Sequence, residues 1–191
     1  MVVLTAFAML LMTNVQAQPL TGNERFVSLE GVYLRPLGLF GEEWKSGIGL
    51  YAGYALPLDL QTFMPMRTGF ISLKHQQAFK SIATFTIIPI HFGIRYLFFN
   101  SRLSPFVEVM NGLNLIHETV DLRGRDNERF LVRYFWQAGT GAVIPITERL
   151  DLSLGMRYNA AFYENDKVQY GEQGAMMTAF EYSIGFNWHV R

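Results

Sequence analysis

The stretch LDLSLGMRYNAAF, Leu150 to Phe162, restricts what this chain can become. Its even positions, Leu150, Leu152, Leu154, Met156, Tyr158, Ala160 and Phe162, are apolar. Its odd positions, Asp151, Ser153, Gly155, Arg157, Asn159 and Ala161, are polar or small. A period of two marks a strand whose two faces meet different surroundings.

The pattern recurs along the chain. In AFEYSIGFNWHV, Phe180, Tyr182, Ile184, Phe186, Trp188 and Val190 alternate with Glu181, Ser183, Gly185, Asn187 and His189. In SIATFTIIPIHFGIRYLFF, Ile88, Ile90, Phe92, Ile94, Tyr96 and Phe98 alternate with Pro89, His91, Gly93 and Arg95. LVRYFWQAGTGAVIPI, SGIGLYAGYALPL and PFVEVMNGLNLIHE repeat the pattern, FVSLEGVYLR does so more weakly, and TGFISLKHQQ is the weakest. That makes eight candidate strands. Many run well past the roughly 5–6 residues of an average globular strand, and reach the roughly 9–11 needed to cross a bilayer at a tilt.

Two architectures fit. A soluble barrel or sandwich turns its apolar face inward, whereas a transmembrane barrel turns it toward lipid and keeps the polar face in a narrow lumen. The polar face decides for the second, because it is rich in glycine (47, 49, 53, 93, 112, 139, 141, 155 and 185) rather than in solvating charge. Glycine weakens a strand and marks close approach, which suits the crowded inside of a small barrel. Large aromatics cluster toward strand ends, as interfacial girdles do. The expected fold is all-β, an eight-stranded antiparallel up-and-down transmembrane β-barrel. Its lipid-facing side includes Tyr96, Phe98, Leu152, Leu154, Tyr158, Phe180, Phe186 and Trp188.

Residues 2–12, VVLTAFAMLLM, form an apolar run too short to span a bilayer as a helix. The run matches a signal h-region, with Val15 and Ala17 at a plausible cleavage site before Gln18. The expected organisation is a signal peptide at 1–17 and a barrel domain at 18–191, although no Lys or Arg precedes the run. The formal net charge is +0 and only 17% of residues are charged. A neutral chain has no broad basic field for nucleic acid. There is no cysteine, so disulfides, thiolate metal sites and cysteine nucleophiles are excluded.

With the amino terminus in the periplasm, periplasmic connections are expected near 59–67, 100–102 and 147–149. Outer connections are expected near 36–45, 78–81, 119–129 and 163–175. The polar DLRGRDNER and YENDKVQYGEQG read as water-exposed loops.

The stretches TIIPIHFGIRYLF, LSPFVEVMNGLNL and WQAGTGAVIPITERLDLSLGMRYN make residues 26–191 resemble the eight-stranded outer-membrane β-barrel family, the OmpA/OmpX/OmpW-like barrels of Gram-negative bacteria. The final FEYSIGFNWHVR resembles the carboxy-terminal signal read by the barrel-assembly machinery. It departs from the commonest form, which ends in Phe, because Val190 and Arg191 follow Trp188. The resemblance implies export to the outer membrane, with outer-membrane lipid and the assembly machinery as partners. It names no extracellular ligand, since such barrels differ widely in function.

The inward phase carries Glu30, Lys74, Arg95, Glu108, Arg133, Asp151, Arg157 and Glu181. An unpaired charge in a closed lumen is expensive, so these nearly balanced signs are read as a salt-bridge plug. Strand parity places Arg95 and Glu108 together. Eight-stranded barrels are barely wide enough for their own side chains, which disfavours a polar path. His75, His91, His117 and His189 show no metal-ligand spacing. His117, Glu118 and Thr119 lie at a height where a lipid-modifying enzyme would carry a catalytic set, but match no such motif. GTGAVIP lies within a strand with no Lys following and is not a phosphate loop. The expected role is a non-enzymatic, cofactor-free outer-membrane barrel acting in structure, adhesion or interaction through its loops. The alternatives are a narrow solute pore and, third, a lipid-modifying enzyme.

Overall fold

A computed structural model describes residues 25–76, 83–98, 103–122, 125–161 and 176–190. The proposed signal segment and the expected connections at 78–81, 100–102 and 163–175 lie outside these residues. Eight strands follow in order: β1 (Arg25–Leu37), β2 (Gly47–Pro57), β3 (Thr62–Lys74), β4 (Ala83–Leu97), β5 (Ser104–Leu122), β6 (Arg125–Thr147), β7 (Leu150–Ala161) and β8 (Met177–Val190). One short helix, α1 (Gly38–Glu43), joins β1 to β2. Each strand pairs antiparallel with its neighbour, and β8 pairs with β1 to close the barrel.

The register fixes the shape. Stepping around the ladder from Val27 passes Tyr54, Met66, Phe92, Asn111, Trp136, Ala160 and Thr178. It returns to β1 at Leu37, ten residues from its start. Eight strands with that offset tilt by about 40° and leave an interior that side chains fill.

Burial follows the pleat. On β1, Phe26, Ser28, Glu30, Val32 and Leu34 are buried while Val27, Leu29 and Tyr33 are exposed. The large exposed side chains are apolar around the whole circumference, including Phe70, Ile90, Phe92, Val109, Val132 and Ile184. Tyr96, Phe98, Leu154, Phe186 and Trp188 are exposed, and Leu152, Tyr158 and Phe180 are half-buried on the same outer side. Aromatic contacts gather in two belts. Near the end carrying the strand termini Arg25 and Val190, Tyr96 meets Phe98 and Phe186 meets Trp188. Toward the opposite end, called the loop end below, Trp136 meets Tyr158, Tyr158 meets Phe180, and Tyr33 meets Tyr182.

Three connections differ from the sequence expectation. The 59–67 segment is no long connection, because β3 already begins at Thr62. Asp59 makes the tight turn, its Oδ1 accepting the backbone N–H groups of Gln61 and Thr62, both at 2.8 Å. Pro65 obscured this strand. It has no N–H to donate, and the β3–β4 ladder passes from Phe63↔Arg95 to Met66↔Phe92. The 119–129 segment is mostly strand, since β5 and β6 stay paired out to Leu122↔Arg125. The 36–45 connection holds α1, whose Phe40 folds back over the barrel mouth beside Trp44 and Phe85.

Gly112 shows where the wall tolerates no side chain. Its φ is 151°, and an added Cβ would meet the Ile90 carbonyl oxygen at 2.0 Å. Backbone strain of this kind costs on the order of 1–3 kcal/mol. A Gly112→Ala protein is expected to lose at least that much unfolding free energy in urea, as followed by tryptophan fluorescence in micelles.

Candidate functional site

The lumen is layered rather than uniformly polar. At the loop end, Leu34, Phe40, Trp44, Ile71, Leu73, Phe85 and further apolar side chains form one buried cluster. At the terminal end, Phe26, Ala55, Phe63, Leu97, Phe106 and Val143 form another. Between them lies a band of charge. The sequence expectation of a polar lumen therefore holds only for the middle of the barrel. Inward Ile71, Leu73, Phe85 and Ile87 make both faces of β3 and β4 apolar near their loop ends, which blurs the alternation there.

The charged band consists of three arginines and three glutamates. Arg95 and Glu108 are directly opposed in the β4–β5 ladder, and Arg95 donates from Nε and Nη2 to Glu108 Oε2 at 2.9 and 2.8 Å. Arg157 reaches furthest. Its Nη2 donates to Glu30 at 2.8 Å, its Nη1 to Glu181 at 3.1 Å and to Ser183 at 2.6 Å, and its Nε to Glu108. Arg67 donates to Glu108 at 3.1 Å, to Gln137 at 2.9 Å, to Glu30 at 3.4 Å and to the Met110 sulfur. Tyr51, Gln137 and Asn159 complete the shell by donating to Glu181. Three cations meet three anions, and every carboxylate faces at least one guanidinium, so the band is balanced.

This placement sorts the residues singled out from sequence. Glu30, Arg95, Glu108, Arg157 and Glu181 meet in one network, while Asp151 and Arg133 lie apart. Asp151 sits at the terminal end, 2.6 Å from His189 Nε2, beside a cavity of about 10 Å³ that Arg95 and Asn187 also line. Arg133 is buried on β6 opposite Asn114, toward the loop end. Lys74 is a correction: it is exposed and in outward phase, because Ile71 and Leu73 take the inward positions of β3. Arg67 is the inward cation of that strand. It was missed because residues 59–67 read as a connection. The alternation of Phe63, Pro65, Arg67 and Gly69 was the signal available.

The histidines do not converge. His91 stacks on Phe135 at 4.0 Å and shares a hydrogen bond with Asn114 at 2.9 Å. His117 stacks on Phe130 with Glu128 at 3.8 Å. His117 and Glu118, as successive strand residues, project to opposite faces, so they do not form a His–carboxylate pair.

The closed eight-stranded barrel has counterparts in fold among solved structures. Neisserial surface protein A is similar with a TM-score of 0.64 and 18% identity, over 89% of this chain and 98% of that one. The fold is that of the small outer-membrane β-barrels. OprG of Pseudomonas aeruginosa matches with a TM-score of 0.61 and 11% identity, over 88% of this chain and 96% of its own. Ail, the attachment invasion locus protein of Yersinia pestis, matches at 0.59 and 11%, over 88% of this chain and 99% of its own. No protein-family model and no curated protein matches the sequence. In this outer-membrane-type barrel the charged band fills the middle of the lumen.

Proposed function

We propose that the chain is an integral outer-membrane barrel whose lumen is closed and whose role is structural or adhesive, exerted through its loop end without enzymatic chemistry. One observation carries the reading: a neutral Arg/Glu network, nearly inaccessible to solvent, spans the lumen between two apolar layers. Ions crossing it would have to separate buried pairs, which costs several kcal/mol for each ion left uncompensated. The apolar outer surface supports membrane insertion, because a barrel with closed edges satisfies its backbone in lipid. The long β5–β6 hairpin supports an outward interaction role, with Phe130 and Val132 exposed at its loop end. Ail, whose name denotes attachment and invasion, is a neighbour in fold that fits an adhesive reading.

Planar-bilayer recording tests it. The refolded protein is expected to insert and give no single-channel steps. Stable, voltage-independent conductance would replace this reading with the narrow-pore alternative. Lipid A mass spectra from cells with and without the protein are expected to be identical, and a changed acyl pattern would install the enzyme reading instead.

A further inference from the structure

Among the described residues, the exposed cations near the loop end fall in one sector of an otherwise largely apolar outer surface. Arg35 lies on β1 in outward phase, exposed, and is paired with Phe180 of β8. Lys74 lies on β3, exposed, and is paired with Thr84 of β4. Lys45 is exposed, and its backbone N–H donates to the Lys74 carbonyl at 2.9 Å. The β1–β2 ladder ends at Leu34↔Gly47, one residue before Arg35 and two after Lys45. Three cations therefore crown the same pair of strand connections. Arg35 and Lys74 are two strand spacings apart, about 10 Å, within reach of one another's long side chains.

The rows beneath them identify the depth. Tyr182, Tyr33, Ile48, Ser72 and Thr86 are consecutive partners around β8, β1, β2, β3 and β4. This row belongs to the loop-end aromatic belt, where Tyr33 and Tyr182 are in contact. The cations thus stand at the level where an apolar band gives way to headgroups, with hydroxyls of Ser72, Thr84 and Thr86 alongside. No carboxylate opposes them nearby in the row. From Lys74 it runs through Thr84 and Thr119 to Glu128, three strands away. Of the two acids of α1, Glu42 is exposed, while Glu43 interacts with His75 and Glu118 over the mouth, and burial there raises its carboxyl above the ordinary value.

We infer that Arg35, Lys45 and Lys74 form a ledge that binds the phosphate of a lipid headgroup in the leaflet at the loop end. Guanidinium and ammonium groups bind phosphate by charge-assisted hydrogen bonds, and their alkyl stems lie along apolar surface while the charge reaches the interface. Tyr33 and Phe180 supply that surface. This inference rests on the membrane-spanning reading, and its test separates the two.

The protein is folded in neutral maltoside micelles and titrated with diphosphoryl lipid A or its dephosphorylated form, with bound lipid counted by native mass spectrometry. The phosphorylated lipid is expected to bind more tightly. Arg35→Gln/Lys45→Gln/Lys74→Gln is expected to weaken it by on the order of tenfold or more, as for loss of charge-assisted contacts. Arg25→Gln/Arg149→Gln, at the other end, is expected to leave it unchanged. If the triple variant fails to fold by gel mobility, Arg35→Lys/Lys74→Arg, which keeps the charge, must bind as the parent does. Equal binding of both lipids, equal loss from the terminal-end variant, or full displacement by inorganic phosphate each overturns the inference. The parent must also insert into pure phosphatidylcholine vesicles. If it does not, the membrane reading itself fails, an outcome distinct from insertion without lipid preference.

Discussion

Replacing Arg157 with methionine is expected to be the most damaging single change in the lumen. Arg157 is fully buried and is the one guanidinium that contacts Glu30, Glu108 and Glu181 together. Methionine fills much of its volume, so the loss is electrostatic rather than a cavity. Glu30 and Glu108 then keep Arg67 and Arg95 between them, and Glu181 keeps only neutral donors. Removing one partner of a buried pair costs roughly 3–5 kcal/mol, and a group serving three acids belongs at the upper end. Arg95→Met should cost less, since Arg95 bonds to Glu108 alone among the carboxylates, while Glu108 retains Arg67 and Arg157. Arg157→Met/Glu181→Gln restores equal numbers of each sign and should recover part of the loss. Urea unfolding in micelles of the parent, Arg157→Met, Arg95→Met, Glu181→Gln and the double variant measures this. Additive effects of the Arg157 and Glu181 changes would show that the two do not interact.

The same network shows what the sequence could and could not reveal. Arg95 and Glu108 were legible as a pair because strand parity and a short connection are local facts. That Glu108 also serves Arg67 and Arg157 was not, because those contacts join β3, β5 and β7 across the lumen. They depend on the ten-residue offset of the closed ladder, which no single strand encodes. Arg67 was hidden for a second reason. Pro65 argues against a strand, and only the tight turn at Asp59 shows that the strand starts before it.

The eight-stranded closure was readable because period-two alternation survives wherever one face is apolar and the other is not. It failed near the loop end of β3, where Ile71 and Leu73 point inward and Phe70 outward. There a soluble-like apolar core replaces the polar lumen, both faces look alike, and the phase of Lys74 cannot be fixed from the sequence. The β5–β6 hairpin was misread for the opposite reason. Asp121, Arg125, Asp126 and Asn127 carry the composition of a loop, yet the backbone ladder continues through them. Hydrogen-bonded pairing between two already aligned strands needs no apolar face to propagate.

The largest effect on the outer face is expected from Val109→Arg. Val109 is 62% exposed, and its ladder partners are Ile94 and Ala138. On β5 it lies between Val107, paired with Tyr96 of the terminal-end belt, and Asn111, paired with Trp136 of the loop-end belt. It therefore lies inside the apolar band, midway between the two belts. An arginine on the lipid face near the midplane costs roughly 2–4 kcal/mol. If water surrounded the barrel, the same change would add a solvated charge at an already exposed site and cost next to nothing, because surface substitutions stay within about 0.5 kcal/mol. The two environments thus give different answers for one residue. Met110→Arg, its inward neighbour, controls for general intolerance of the strand, since Met110 is fully buried and touches Arg67. It should fail in any solvent by overpacking and by adding a fourth cation to a balanced set. Refolding into phosphatidylcholine vesicles, read by heat-modifiable gel mobility, is expected to fall sharply for Val109→Arg. Normal insertion of that variant would show that the apolar exterior does not face lipid.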